Sequence, residues 1–287
     1  MRIGGNSLKQ IRHYFESELA PLYESSERLT LFRMAVQHIS GFSHLEIHLN
    51  PERRVSESEL LAYSKFVKQL QSGMPVQYVM GYTWFLDLQI GVDSSVLIPR
   101  PETEELVHTL IPFLNEQERP KIVDICSGSG CIALSLKNLY PHAEIVGFDI
   151  SESAVKKSIQ NAAELGLDVS FVRKNILEPV HFSESFDLMV SNPPYIPLLE
   201  RDEMSSRVTE FEPAEALFVP NEDVLLFYKR IIELANKHLR IGGLLAFECH
   251  YKGAAQVASE MRNSGFSGVA ILRDLSGTER FVTGYRM

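Results

Sequence analysis

The chain has 287 residues, 45% hydrophobic and 23% charged, with a formal net charge of −9. That balance suits a globular protein of one large or two ordinary domains and excludes a disordered or collagen-like chain. No apolar run is long enough to cross a bilayer, and the N-terminus lacks the apolar stretch of a secretory leader, so a cytoplasmic protein with no membrane partner is expected.

Residues 1–78 carry 9 basic and 8 acidic side chains, so the remainder carries 19 and 29, a balance of −10. A protein that grips nucleic acid by its phosphates needs a basic face, so no stable nucleic-acid complex is expected. The three cysteines, Cys126, Cys131 and Cys249, form no C-x-x-C pair and no zinc spacing. Reduced thiols and no metal site are the expectation.

Along the chain, Ser7 is placed to cap a helix running through Ile11, Phe15 and Leu19. A second stripe, Leu29, Leu31, Phe32, Ala35 and Ile39, stops at Gly41. Ser56-Glu57-Ser58-Glu59 is a capping box ahead of Leu60, Tyr63, Val67 and Leu70, and Gly73 and Pro75 end that run. Residues 1–78 therefore read as a small helical domain. Residues 79–98 change character: Tyr82 to Phe85, Leu88 to Val92 and Val96 to Ile98 favour extended structure, and Gly81, Asp87 and Asp93 favour turns. They read as a β-hairpin connector.

From residue 99 to 287 strands and helices alternate. The strands are Ile122 to Ile125, Glu144 to Asp149, Val169 to Val172, Phe186 to Val190 and Gly243 to Glu248. Helices are expected over Ile132 to Leu139, Ser153 to Leu165 and Leu225 to Leu239. The order implies an α/β, mostly parallel sheet covered by helices on both faces. Two final strands, Val269 to Leu272 and Arg280 to Tyr285, flank Gly277.

Two motifs carry chemistry. Asp124-Ile125-Cys126-Ser127-Gly128-Ser129-Gly130 joins a strand to a helix, where glycines let the backbone approach a ligand closely. Asp149, ending the next strand, is placed to accept hydrogen bonds from ribose hydroxyls. The loop indicates an adenosine cofactor, but Gly128-x-Gly130-x-x-Ala133 with Asp149 satisfies a nicotinamide fingerprint as well as an S-adenosylmethionine one.

Ser191-Asn192-Pro193-Pro194-Tyr195 follows the fourth strand, at the carboxyl edge where ligands bind in open α/β sheets. An amide nitrogen is a poor nucleophile because its lone pair is delocalised into the carbonyl. The Asn192 side-chain oxygen and the Pro193 carbonyl can each accept one N–H, aiming the nitrogen at an electrophilic methyl and stabilising positive charge as it develops. The prolines stiffen the loop, and Tyr195 offers an aromatic face to a planar group. An exocyclic amine on a nucleic-acid base poses the same problem, so an adenine-type amino methyltransferase stands beside a protein-amide methyltransferase. A non-catalytic or nicotinamide module leaves Asn192 to Tyr195 without a role. His250 reads as a structural histidine, and Glu102, Glu104 and Glu105 suit a helix N-terminus.

With these residues in place, the chain resembles the PrmC/HemK family, the glutamine methyltransferases of class I peptide chain release factors. The likeness covers Tyr78-x-x-Gly81-x-x-x-Phe85, Leu97-Ile98-Pro99-Arg100-Pro101-Glu102-Thr103-Glu104 and the glycine loop. It continues through Asn192-Pro193-Pro194-Tyr195, Phe211-Glu212-Pro213 with Ala216-Leu217, and Arg273-Asp274-Leu275-Ser276-Gly277. The tetrapeptide is shared with DNA adenine methyltransferases, whereas the segment around Arg100 is much more specific.

The resemblance implies a class I, Rossmann-like methyltransferase domain with a seven-stranded sheet, behind a helical domain that engages the release factor. It implies S-adenosylmethionine as cofactor, S-adenosylhomocysteine as product, and a monomer acting on the glutamine of a Gly-Gly-Gln motif. Cys126, Ser127, Gly128, Ser129, Gly130, Asp149, Asn175, Ile176 and Asn192 would then hold the cofactor, and Asn192 to Tyr195 the glutamine. The chain departs from the family at Cys126, which replaces the first glycine of the loop. Its side chain must point away from the cofactor or reshape the loop. Asn175 stands where the family often has Asp, and is expected to offer its oxygen to the adenine amino group, with Ile176 packed on the ring.

Overall fold

The structure, a computed structural model, describes residues 3–180, 182 and 184–287. Residues 1 and 2 of the expected N-terminal domain, and 181 and 183 of the expected 99–287 segment, lie outside the described residues. The chain divides into two compact units, one formed by Met1–Gly81 with Ser206–Phe211, the other by Tyr82–Ser205 with Glu212–Met287.

The first unit holds helices α1 (Leu8–Leu19), α2 (Ser25–Ser40), α3 (His44–Leu49), α4 (Glu57–Gln71) and α5 (Val76–Met80). Ser7 and Ser56 cap α1 and α4 through reciprocal capping boxes, satisfying backbone N–H groups that have no partner within the helix. Gly41 ends α2 in the left-handed conformation, which glycine adopts without steric cost. The apolar stripes meet in one core, where Phe15 packs edge-on against Phe32 and Tyr63 and tilts against Phe66. A tyrosine in that core needs a polar partner, and the Tyr63 hydroxyl finds Ser40 Oγ at 2.8 Å. The α3 helix was not evident from periodicity, since all six of its residues are half-buried or exposed.

The second unit opens with a hairpin of β1 (Tyr82–Phe85) and β2 (Leu88–Gly91), then α6 (Pro101–Leu114). Alternation follows: β3 (Lys121–Ile125), α7 (Cys131–Leu139), β4 (Glu144–Asp149), α8 (Glu152–Leu165), β5 (Ser170–Arg173) and β6 (Phe186–Ser191). After β7 (Ile196–Pro197) and a 3-10 turn, α9 (Ser206–Thr209) belongs to the first unit. The second unit resumes with α10 (Ala214–Leu217), β8 (Phe218–Val219), α11 (Leu226–His238), β9 (Leu239–Glu248), α12 (Ala254–Asn263), β10 (Phe266–Arg273) and β11 (Glu279–Arg286). The main sheet has seven strands in the order β10-β11-β9-β6-β3-β4-β5, parallel from β9 to β5. β11 runs antiparallel to both of its neighbours.

The expected fold class is therefore realised: a mostly parallel, seven-stranded sheet of the class I methyltransferase type, with a helical N-terminal unit. β9 begins four residues earlier than the apolar run Gly243 to Glu248 implied. Its first residues, Leu239 to Gly243, include polar and exposed positions that resemble a loop. They are held in the sheet by pairing, Leu239 lying opposite Phe186 before a register shift.

Two devices fix the glycine loop to this sheet. Phe171 of β5 fills the space that side chains at Gly130 and Gly147 would need. A Cβ on Gly130 would lie 2.7 Å from the Phe171 ring and one on Gly147 2.4 Å from it. Asn161, buried on α8, exchanges two 3.0 Å hydrogen bonds with the Gly91 backbone and donates to the Ser129 carbonyl at 2.9 Å. One amide thus ties the hairpin, α8 and the loop together.

Gly130 also takes a φ of +81°, where a side chain is strained. The backbone cost and the overlap with Phe171 together predict that Gly130→Ala destabilises the fold by roughly 2–4 kcal/mol. Urea unfolding would read this as a lower midpoint at unchanged slope; an unshifted midpoint would mean that Phe171 can move aside freely.

Candidate functional site

The carboxyl ends of β3, β4 and β6 open onto a cavity of about 340 Å³, a size near the lower end of those that hold small cofactors. Cys126, Gly128, Asp149, Asn175, Ile176, Asn192 and Pro194 line it. Ser127, Ser129, Gly130, Pro193 and Tyr195 stand outside that lining. Ser129 is buried, with its carbonyl taken by Asn161, and Gly130 is the N-cap of α7.

Strand β4 delivers Asp149 to the rim. Its Oδ2 accepts the Gly128 N–H at 2.8 Å and its Oδ1 the Ser151 N–H at 2.9 Å. Burial pushes this carboxyl above its ordinary range, against the pull of those two N–H donors. Each oxygen retains a lone pair for a diol. Gly128 has a φ of +53°, and nothing lies within 4 Å of where its Cβ would stand. The loop therefore leaves room for a ligand beside a diol-binding carboxylate, while Phe148 and Ile176 supply apolar walls. The residues present fit an adenosyl group.

Cys126 adopts φ +64°, the left-handed region that glycine occupies without penalty. Its side chain packs partly on the sheet's main core while still lining the cavity. Burial pushes its thiol up, as it does for Cys131 (to about 12) and Cys249, so none of the three is poised as a nucleophile. Asn175 is engaged locally: Oδ1 accepts the Leu177 N–H at 3.1 Å and Nδ2 donates to Glu178 at 3.0 Å.

Strand β6 ends at Ser191, whose hydroxyl donates to the Ile125 carbonyl at 2.5 Å and binds β6 to β3 at the rim. The next residue, Asn192, donates from Nδ2 to Thr103 Oγ1 at 3.1 Å, leaving Oδ1 on the opposite side of the amide. Thr103 in turn donates to Glu248 Oε2 at 2.7 Å, and the Tyr195 hydroxyl donates to Glu248 Oε1 at 3.1 Å. Burial holds the Glu248 carboxyl above its ordinary range, outweighing the Thr103 and Tyr195 hydrogen bonds and the Arg280 guanidinium, which favour the ionised form. Burial and the Glu248 carboxylate keep Tyr195 protonated well beyond neutral pH. His250 pairs with Glu200 at 3.2 Å, and its ring lies 6.0 Å from that of Tyr195.

Sequence reasoning missed Thr103 and passed over Glu248. Thr103 looked like one more residue at a helix start, and the only signal for Glu248 was an acidic residue ending an apolar strand. It also left Arg100 and Glu212 without a partner. They join at 2.5 Å, and Glu212 also accepts the Ile98 N–H at 3.1 Å.

Asp124 at the end of β3 is fully buried; its Oδ2 accepts the Ala133 N–H at 3.2 Å, and its Oδ1 meets no partner among the described residues. Burial, with Asp149 nearby, pushes it up to about 8.

Comparison with known proteins covers both units. A model of the PrmC N-terminal domain matches residues 10–81, and one of the methyltransferase small domain matches residues 105–210. The release factor glutamine methyltransferase of Flavobacterium psychrophilum is 34% identical over 96% of this chain and 98% of its own length. That of Bacteroides thetaiotaomicron is 34% identical over 97% and 100%. Among solved structures, a methyltransferase from Pyrococcus furiosus superposes with a TM-score of 0.51 at 17% identity, over 70% of this chain and 90% of that one. At that identity the likeness concerns the fold alone. Among the described residues, no helix is long and apolar enough to cross a membrane.

The buried Asp124 makes stability pH-dependent. The native chain holds a proton that the unfolded chain releases near its ordinary value of 3.8, so this contribution is complete below 3.8 and is lost as pH rises through about 8. Asp124→Asn should flatten the fall in unfolding free energy across that window, measured by denaturant titration at several pH values. An unchanged slope would place the titration elsewhere.

Proposed function

The chain belongs to the family of release factor glutamine methyltransferases, and from that premise we propose that it methylates the side-chain amide nitrogen of the glutamine in the Gly-Gly-Gln motif of class I peptide chain release factors. S-adenosylmethionine, leaving as S-adenosylhomocysteine, supplies an electrophilic methyl on its sulfonium. The observation that carries the reading is Asn192 at the end of β6, on the cavity rim, with its Nδ2 already committed to Thr103.

With Nδ2 so committed, Oδ1 accepts one N–H of the glutamine amide and the Pro193 carbonyl accepts the other. The two acceptors fix the nitrogen and stabilise it as it gains positive charge. No strong base is required, because the nitrogen grows acidic as it alkylates. Tyr195, braced by Glu248, offers its ring to the planar amide, and buried Pro193 and Pro194 stiffen the loop. Asp149 would hold the ribose hydroxyls, with room left beside them at Gly128, and Ile176 would pack on the adenine. Asn175 would add the second lone pair of an oxygen already bonded to Leu177.

Residues 1–78 serve as the release-factor-binding domain, 79–98 as the connector and 99–287 as the methyltransferase domain. The acidic balance of the residues after 78 favours a protein substrate over a nucleic-acid one. The enzyme works as a cytoplasmic monomer.

Incubation with labelled S-adenosylmethionine and a release factor, then mass spectrometry of the Gly-Gly-Gln peptide, should find one methyl on the glutamine. Transfer to nucleic acid in place of that glutamine would sink the reading. Asn192→Ala should lower turnover about 100-fold or more with little change in unfolding midpoint. Asp149→Ala should act chiefly on cofactor affinity, weakening it by about tenfold or more in a calorimetric titration. Unchanged affinity would move the ribose contact to another residue.

A further inference from the structure

We propose that Thr103 and Glu248 are positioning residues that decide which end of the Asn192 amide faces the substrate nitrogen. The inference rests on the reading of Asn192 as the acceptor. An asparagine side chain has nearly the same shape in either of two orientations, one presenting oxygen and the other NH2. Only the first can receive a substrate N–H. The second sets a donor against a donor and leaves nothing to stabilise a nitrogen becoming positive. Something must therefore hold the amide one way round.

The hydrogen-bond chain supplies the constraint by donor counting. Glu248 is 1% exposed at the end of β9, and as a carboxylate it can only accept. Its Oε2 takes the single hydroxyl proton of Thr103 at 2.7 Å, and its Oε1 takes that of Tyr195 at 3.1 Å. With its proton spent, Thr103 Oγ1 can meet Asn192 only as an acceptor, so Asn192 must turn Nδ2 toward it, at 3.1 Å. Oδ1 is then forced to the other side. The direction is imposed from Glu248 outward, through Thr103, onto the amide.

Nothing local brings these groups together. Thr103 lies 89 residues from Asn192 and 145 from Glu248, and the three come from the first turn of α6, the loop after β6 and the end of β9. Valine has the same branched shape as threonine and lacks only the hydroxyl, so at this position, 3% exposed, the exchange removes the directional group with little change of volume. A buried hydroxyl between a carboxylate and an amide gains its value from direction. The same carboxylate also holds the Tyr195 hydroxyl, so one group braces Asn192, through Thr103, and Tyr195.

The test compares Thr103→Val, Thr103→Ser and Glu248→Gln in the full chain. Thr103→Val should lower kcat about 10- to 100-fold while S-adenosylmethionine affinity stays within about twofold. Thr103→Ser, which keeps the hydroxyl, should restore kcat to within about threefold of wild type. Glu248→Gln offers one acceptor and one donor where there were two acceptors, and should fall between them. Wild-type kcat in Thr103→Val, or no rescue by Thr103→Ser, would overturn the role of Thr103; wild-type kcat in Glu248→Gln would overturn that of Glu248.

A second readout needs no substrate and so separates this inference from the functional reading. In isotope-labelled protein, one Asn192 side-chain amide proton should exchange slowly in wild type and Thr103→Ser, and rapidly in Thr103→Val. Rapid exchange in wild type would overturn the inference even if the enzyme methylates its glutamine. Slow exchange lost in Thr103→Val would support it even if another substrate is methylated.

Discussion

A carboxylate shut away from water must find its hydrogen bonds inside the protein, and the candidate site is arranged around that requirement at Glu248. The cost of burying the charge is offset only if donors meet it in good geometry. The fold brings one from α6 and one from the loop after β6, with the Arg280 guanidinium lowering the cost further. Those two hydroxyls belong to Thr103 and Tyr195, which stand next to the groups facing the cavity rim. Charge burial and the orientation of the site are thus the same set of contacts.

The cavity wall is governed by backbone sterics. Three loop residues, Cys126, Gly128 and Gly130, take positive φ between β3 and α7. For the glycines this is free; for a cysteine it costs roughly 1–2 kcal/mol. Part of that is returned by the thiol packing on the sheet core. The side chain the resemblance left to point away or reshape the loop does neither completely, being shared between core and cavity wall. Gly130 has no such latitude, because Phe171 occupies the space behind it.

The sequence made much of this legible, and the reason differs by feature. Capping boxes at Ser7 and Ser56 and the glycine stop at Gly41 act over a single turn, so three or four residues suffice to read them. The parallel strands were legible because both faces of such a sheet are covered, leaving short apolar runs with no polar alternation. Cys126, Gly128, Asp149, Ile176 and Asn192 could be placed near one another because strand ends in an alternating β-α pattern share one edge of the sheet. The α3 helix and the first residues of β9 were not legible, since no apolar stripe marks them. Asn175 and Ser129 were assigned to the cofactor by their place in a motif. Their hydrogen bonds to Leu177, Glu178 and Asn161 depend on neighbours that a motif does not contain.

The segment from Ile98 to Glu105 shows why long-range function escapes local reading. Taken alone it is a proline-led helix start with acidic residues in the first turn, and the macrodipole accounts for those carboxylates though not for Arg100 at the N-cap. In the fold its polar groups serve distant partners. Arg100 and the Ile98 N–H meet Glu212, Thr103 meets both Asn192 and Glu248, and Glu105 accepts the Leu275 N–H at 2.8 Å. These contacts reach the segment before α10, the ends of β6 and β9, and the turn between β10 and β11. Of these partners Asn192 lines the cavity itself, and Glu248 ends the strand next to β6. A short stretch that satisfies several partners at once can vary less than one that only caps a helix, because any substitution must suit all of them together. A glycine loop needs only room for a ligand, whereas the segment from Ile98 to Glu105 needs four separate pieces of the same fold at once.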